Sequence, residues 1–318
     1  MADLLPSWND GPAKSAIVAF VQATTDSANK DFVRSEDRIA TFDQDGTLWV
    51  EHPMYAQLAF ALSRLAELAP QHPEWKTNEP FKSTLAGDQA AFAKFTLADL
   101  ETLVAASHAG MSTDDFGGMV RAWLAKATHP RWKQPYAELV YQPMLEVMQY
   151  LRANGFKTYI VTGGGQAFVR VYAEQVYGIP PEFVIGSSLE TKFEYDSDGK
   201  AVLMRPPKLL LYNDLAGKPE DIYLFLGRAP LAAFGNSTGD QQMLEYTQAA
   251  GGLRLMALVL HDDPEREYSY GPESGQADTK FGAFTRALYD QAVSEGWTVV
   301  SIKRDWKRVF AFDTVNDS

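Results

Sequence analysis

The chain has 318 residues, enough for one large or two modest domains, and 46% of them are hydrophobic, sufficient for a full core. Its 29 basic and 41 acidic residues give a formal charge of −12, which argues against nucleic acid or an anionic membrane surface as the main partner. The absence of cysteine excludes disulfides, thiolate catalysis and cysteine metal sites. The start Met-Ala-Asp-Leu-Leu-Pro-Ser-Trp lacks the basic and apolar regions of a secretory leader, and no apolar stretch approaches the ~20 residues of a membrane helix. A cytoplasmic location is the expectation, with the periplasm open if a leader has been removed.

One helix is predicted over residues 12–24, with Ala16, Ile17, Phe20 and Val21 in helical spacing. Residues 38–42 are a β-rich apolar run that stops at Asp43-Gln44-Asp45-Gly46, which reads as a buried strand ending in a turn. Side chains alternate along a strand. If that geometry continues through the turn, Asp43 and Asp45 point the same way, about 7 Å apart at the backbone. Two carboxylates that close repel each other until a cation or a shared proton relieves them, and Mg2+ suits such a site. From Pro53 to about Tyr141 strand signals vanish. Met54, Leu58, Phe60, Ala61, Leu62 and Leu65 mark one amphipathic segment stopping near Pro70, and further helices are predicted over 82–95, 97–106 and 113–127. Trp75, Trp123 and Trp132 in this stretch are expected to pack in its core.

Strand and helix alternate again after Gln142. A helix over 143–153 is followed by a strand over 156–161, a turn at Thr162-Gly163-Gly164-Gly165-Gln166, a helix over 167–177 and a short strand over 183–186. Asp198-Gly199 between β-rich arms predicts a hairpin over 193–204. Helix 218–226, strand 231–234, helix 240–249, strand 253–260, helix 281–295 and strand 297–302 complete the pattern. Such alternation implies an α/β fold with a mostly parallel sheet covered on both faces.

Asp-x-Asp-Gly-Thr-Leu directly after an apolar strand resembles motif I of the haloacid dehalogenase (HAD) superfamily. The resemblance implies that Asp43 attacks phosphorus and that Asp45 is the general acid and base. It extends to Val161-Thr162-Gly163 as motif II, with Thr162 and Gly163 binding phosphate. Motif III would be Lys218 before Pro219-Glu220-Asp221, with Lys208 as the alternative lysine. Phe234-Gly235-Asn236-Ser237-Thr238-Gly239-Asp240 is similar to motif IV, with the uncharged Asn236 where an acid is more usual. A Mg2+ shell of Asp43, the Asp45 main-chain carbonyl, Asp240, Asn236 and water is implied, with Asp240 the stronger candidate for direct ligation. Thr47 and Glu51 are the further substrate-facing candidates, and His52 beside Glu51 is weighed with it.

The implied fold is a Rossmann-like HAD core over 1–52 and 142–318, with an all-helical cap of type C1 over 53–141. By motif and cap position the nearest branch looks like phosphoserine phosphatase, which implies a small phosphorylated metabolite as substrate and a monomer or homodimer. A dehalogenase, a phosphomutase and a catalytically silent phosphate-ligand-binding protein are the alternatives; Asp45 speaks against the first and Asn236 favours the last. The five histidines show no metal spacing; His261-Asp262-Asp263 ends a predicted strand, from which it could reach the rim of the site, but a solvated loop is the expectation.

Overall fold

The computed structural model describes residues 4–92, 94–108, 110–272, 274 and 282–313. Helix α1 (Pro12–Thr25) carries Pro12 in its first turn and buries Ala13, Ile17, Phe20 and Val21 along one face. Strand β1 (Ile39–Phe42) is buried at all four positions, as expected of a central parallel strand with both faces covered. Helices α2 (Ala56–Leu68), α3 (Phe81–Leu85), α4 (Gln89–Phe92) and α5 (Leu97–His108), strand β2 (Met111–Ser112) and helix α6 (Thr113–Leu124) follow as an insert. The core then resumes with α7 (Gln142–Ala153), β3 (Lys157–Gly165), α8 (Gln166–Val169), α9 (Ala173–Tyr177) and β4 (Val184–Leu189). Strands β5 (Lys192–Tyr195), β6 (Ala201–Arg205) and β7 (Leu209–Leu211) lead to α10 (Gly217–Leu226), β8 (Ala232–Gly235), α11 (Gln241–Ala249) and β9 (Leu255–Leu260). Helix α12 (Arg286–Ser294), β10 (Thr298–Ser301) and α13 (Ile302–Asp305) close the chain.

The main sheet has the order β10-β9-β8-β1-β3-β4-β7. All neighbours run parallel except β7, which lies antiparallel to β4. From β1 the chain builds outward through β3 and β4, then returns to lay β8, β9 and β10 on the other side. The reversal falls at β1 and β8, and the crevice at the carboxyl ends of strands beside such a reversal is where open α/β sheets hold ligands. Phe42 and Phe234, the aromatic residues near those two ends, stack with ring centroids 4.4 Å apart. The architecture is a mostly parallel α/β sheet with flanking helices and a helix-rich insert.

Several elements depart from the sequence expectation. β3 runs on through the three glycines instead of stopping at Val161, because Gly165 pairs with Ser187 after an irregularity beyond Thr162. The helix expected over 82–95 is broken at Gly87, whose φ of +68° no helix allows; Ala93 lies outside the described residues. The helix expected over 167–177 is two short ones. The helix expected over 281–295 starts only at Arg286, where Thr285 caps it by accepting from the Leu288 N–H; Phe281 lies outside the described residues. The insert is helical apart from β2, which pairs with β6 of the predicted hairpin to form a second sheet, β2-β6-β5.

Candidate active site

Asp43 follows β1 without leaving the sheet register: its N–H donates to the Phe234 carbonyl at 2.9 Å. Lys218, in the first turn of α10, sends its ammonium beneath the strand ends. Nζ donates to Asp43 Oδ1 at 2.7 Å, to Asp240 Oδ1 at 2.6 Å and to the Val161 carbonyl at 3.1 Å. A cation is unfavourable at a helix N-terminus, and the two carboxylates offset that. Lys208 instead pairs with Glu190 at the surface. Asp240 Oδ2 accepts from the N–H groups of Asn236 and Ser237 at 2.9 and 3.0 Å, which pins the loop between β8 and α11.

Asp45 accepts from the Trp49 indole at 2.7 Å, and the turn between them closes with the Gly46 N–H on the Trp49 carbonyl at 2.8 Å. Gly46 has φ +75°, and a Cβ there would overlap Asn236 and Glu51. Both reasons require glycine. Glu51 Oε1 accepts from Asn236 Nδ2 at 2.6 Å and from the Tyr270 hydroxyl at 2.5 Å, while Asn236 Oδ1 accepts from the Thr47 hydroxyl at 3.2 Å. This network explains the amide at position 236: it donates to one neighbour and accepts from the other, the orientation that the network itself assigns. Asn236→Asp would set two carboxylates face to face. Its expected result is a fall in Tm of several degrees at pH 8 that recovers towards pH 5, measured by thermal unfolding across pH.

Thr162 Oγ1 accepts from the Gly164 N–H at 3.0 Å, and the Ser187 hydroxyl donates to the Gly163 carbonyl at 2.9 Å. Gln57 of α2 reaches this loop from the insert, its Oε1 accepting from the Gly165 N–H at 2.6 Å. Asp214 lies beside Gly163 and Gly239. His261 corrects the expectation of a solvated loop: it and Asp263 are buried. His261 Nε2 donates to the Gly46 carbonyl at 2.7 Å, its Nδ1 lies 2.8 Å from Glu267, and its ring stacks on Tyr270 with centroids 4.3 Å apart. The chain beyond β9 thus folds back over the Asp43–Gly46 turn. Gln57, Asp214 and Tyr270 were not identified from sequence, and no local pattern marks them; His261 is weighed for the rim of the site from its place at a strand end, with a solvated loop preferred.

Residues 40–245 match the family model for haloacid dehalogenase-like hydrolases. The chain belongs to that family. No curated protein matches it. Among solved structures it is similar to a conserved functionally unknown protein from Anaerococcus prevotii DSM 20548, at 15% identity over 83% of this chain and 89% of that one, TM-score 0.53. It is also similar to a protein with unknown function from Bordetella pertussis Tohama I, at 14% identity over 83% and 97%, TM-score 0.51. A phosphoserine phosphohydrolase-like protein from Francisella tularensis subsp. tularensis SCHU S4 also matches, at 17% identity over 70% and 88%, TM-score 0.38. At these identities the likeness concerns the fold.

In this HAD-family site the electrostatics are lopsided. Asp43, Asp240 and Glu51 are buried, with Asp45 half-buried next to them, and Lys218 is the cation that Asp43 and Asp240 share. Burial, then Asp240, pushes the Asp43 carboxyl well above its ordinary range against the pull of Lys218. Burial pushes Asp45 up to about 6 and raises Glu51 well above its usual value. For Lys218, burial opposes the charge, yet Asp240, Asp43 and Asp214 outweigh it and hold the ammonium protonated. Carboxyls raised by burial, and at Asp43 and Glu51 by neighbouring acids as well, are what a divalent cation would hold in the charged form, and their oxygens are the hard donors Mg2+ takes. Among the described residues no three His, Asp or Glu side chains form a ready-made cage. Mg2+ does not need one, since it keeps several waters and uses one or two carboxylates. The donor set therefore fits.

Among the described residues, no helix is long and apolar enough to cross a membrane.

Proposed function

We propose that this chain is a Mg2+-dependent phosphohydrolase that cleaves small phosphomonoesters through an aspartyl-phosphate on Asp43. The observation that carries the reading is the clasp of Lys218 on Asp43 Oδ1 with Asp45 on the same turn. Lys218 fixes one oxygen of the nucleophile and leaves Oδ2 to attack phosphorus in line. Asp45, with its carboxyl near 6, gives its proton to the leaving oxygen as the P–O bond breaks. The Asp45 carboxylate then takes a proton from water, which attacks phosphorus and breaks the bond to Asp43, releasing inorganic phosphate. Thr162 accepts from the Gly164 N–H, so its own hydroxyl proton is directed away to a phosphate oxygen; the Gly163 N–H would complete that contact, whereas the buried Thr47 hydroxyl is taken up by Asn236. Asp43, the Asp45 carbonyl and Asp240 or Asn236, directly or through water, would hold Mg2+, which offsets charge on the phosphoryl oxygens.

Residues 53–141 would act as a cap over the site, joined to the phosphate loop through Gln57, and Glu51 would meet the substrate at the cap hinge. The presence of Asp45 favours phosphoryl transfer over dehalogenation, because a haloacid nucleophile needs no acid at that place. The test is phosphate release from a panel of small phosphomonoesters with Mg2+ and with EDTA. Turnover only with Mg2+ is the expected result; a folded protein that releases no phosphate from any ester would overturn it. Asp45→Asn should slow release by about 10^2–10^4-fold and accumulate phosphorylated protein, detected by intact mass after acid quench. Unchanged turnover would remove Asp45 from the proton-transfer role.

A further inference from the structure

Above the phosphate loop a small space is left open by glycine and ringed by polar atoms from three parts of the chain. A Cβ on Gly164 would stand 3.2 Å from Thr162 Oγ1, 3.3 Å from Gln57 Oε1 and 3.7 Å from Asp45 Oδ2. Gly164 does not have a positive φ, so its missing side chain supplies room and not a backbone conformation. The space is open to solvent, since Gly163 is exposed and Gly164, Gln57 and Asp45 are half-buried.

Two of those atoms, Asp45 Oδ2 and Gln57 Oε1, are acceptors fixed by their neighbours. The Trp49 indole donates to Asp45 Oδ1 at 2.7 Å and is itself buried and stacked on Tyr172, with centroids 5.0 Å apart. Oδ2 is therefore the carboxyl oxygen turned towards Gly164. Gln57 stands in the first turn of α2, and the Gly165 N–H, which donates to Oε1 at 2.6 Å, assigns the orientation of the amide. A carbonyl oxygen has two lone pairs, so Oε1 keeps one for a second donor. A Cβ on Gly165 would come within 2.7 Å of Gln57 Nε2, so the loop has to be bare there too for the amide to lie on it. Two acceptors beside one small space match a donor with two protons, which is water.

We infer that Gln57 is a catalytic residue supplied by the insert, which together with Asp45 holds the water that hydrolyses the aspartyl-phosphate; the inference rests on the phosphatase reading. In the first step the space belongs to the ester oxygen, which receives the Asp45 proton and carries none of its own for Gln57 to accept. Once the alcohol has left, water enters the same place, in line with the bond between phosphorus and Asp43. One of its protons passes to Asp45 Oδ2, and the other stays on the water oxygen, hydrogen-bonded to Gln57 Oε1. The water oxygen bonds to phosphorus, the bond from phosphorus to the Asp43 oxygen breaks, and its electron pair restores the Asp43 carboxylate. Gln57 neither gives nor takes a proton, and it acts in the second step alone. Because α2 belongs to the insert, the second step is complete only with the insert seated on the phosphate loop.

The test compares the full chain with Gln57→Met, which keeps the length of the side chain and loses the acceptor. With p-nitrophenyl phosphate and Mg2+, phosphorylated protein is quantified by intact mass after acid quench, and its decay is followed once the ester is exhausted. Loss of the water's second anchor should slow that decay by about 10^2-fold, the cost of a misplaced reactant, so that phosphorylated protein accumulates and kcat falls. The ratio kcat/KM should stay within about threefold of the parent, because it reports only the steps up to formation of the intermediate. Equal falls in kcat and kcat/KM with no accumulated intermediate would make Gln57 a tie between insert and loop and overturn the assignment, as would decay at the parent's rate. Gly164→Ala, whose methyl would fill the space, should lower kcat/KM as well, because the leaving oxygen needs the same room; unchanged turnover in it would place the reacting oxygens elsewhere and overturn the inference. A folded parent that releases no phosphate fails the phosphatase reading and this inference with it, whereas an active parent with unchanged decay in Gln57→Met fails this inference alone.

Discussion

Replacing Lys218 with methionine is expected to destabilise the metal-free protein by about 3–5 kcal/mol, the size of effect seen when one member of a buried ion pair is removed. The side chain is 2% exposed and holds Asp43 and Asp240 at 2.7 and 2.6 Å. Without it two buried carboxylates face each other with no cation between them. Folded Lys218 has a raised pKa, so its stabilisation is complete below the ordinary lysine value and disappears only as pH rises through the folded one; at pH 7 all of it is present. The loss should appear as a fall in Tm on the order of 5–10 °C in EDTA. The deficit should shrink as pH falls towards about 4, because the Asp43 carboxyl, raised in the fold, takes up its proton above its unfolded value. Pairing Lys218→Met with Asp43→Asn should recover part of it, because one of the repelling charges is gone. A double variant no more stable than Lys218→Met would show that the lysine acts by packing. Turnover should fall about 10^3-fold, in line with removal of a group that stabilises transferring charge.

The parts of this site legible in sequence are those written into short segments at strand ends. Asp43, Asp45 and Gly46 form one turn after an apolar run, and the positive φ of Gly46 bears out the glycine read there. Lys218 stood in sequence before Pro219-Glu220-Asp221 with Lys208 as its rival; in the fold Lys218 meets Asp43 and Asp240, while Lys208 pairs with Glu190 at the surface. What local pattern could not show are partners remote in sequence. Asn236 stood out as an uncharged departure, but its reason lies 185 residues away in Glu51. His261 reaches the Gly46 carbonyl across 215 residues, and its own neighbours, Asp262 and Asp263, read as an ordinary polar loop. The same limit applies to the fold. The parallel sheet follows from local alternation of strands and helices, whereas β2 is only two residues long and exists because β6 pairs with it. The continuation of β3 through Gly163–Gly165 depends likewise on Ser187 across the sheet.

Asp43→Asn is expected to abolish Mg2+-dependent phosphate release, a loss on the order of 10^4-fold or more for a nucleophile, while leaving the protein at least as stable. The second half follows from the direction of the Asp43 shift. Burial and Asp240 raise its carboxyl in the fold. An acid raised on folding contributes its stability in full below its unfolded value, near 4, and loses it as pH rises through the folded one. At pH 7.5 an ionised Asp43 therefore weighs against the fold, and the neutral amide does not. Lys218 keeps Asp240 as its partner in the variant, so the ammonium is not left alone. In EDTA, Tm of Asp43→Asn should equal or exceed that of the parent at pH 7.5, with the difference closing near pH 4. Both proteins should still lose stability between about pH 4 and 6 as Asp45 ionises, because burial pushes its carboxyl up to about 6. Mg2+ should raise Tm of the parent by several degrees and that of the variant by much less, since one carboxylate ligand is gone. Turnover within tenfold of the parent would remove Asp43 from the nucleophile's role. Lost turnover with a Tm well below the parent only at pH 7.5 would instead make the Asp43–Lys218 pair a structural clamp, and the low exposure of both residues a matter of packing.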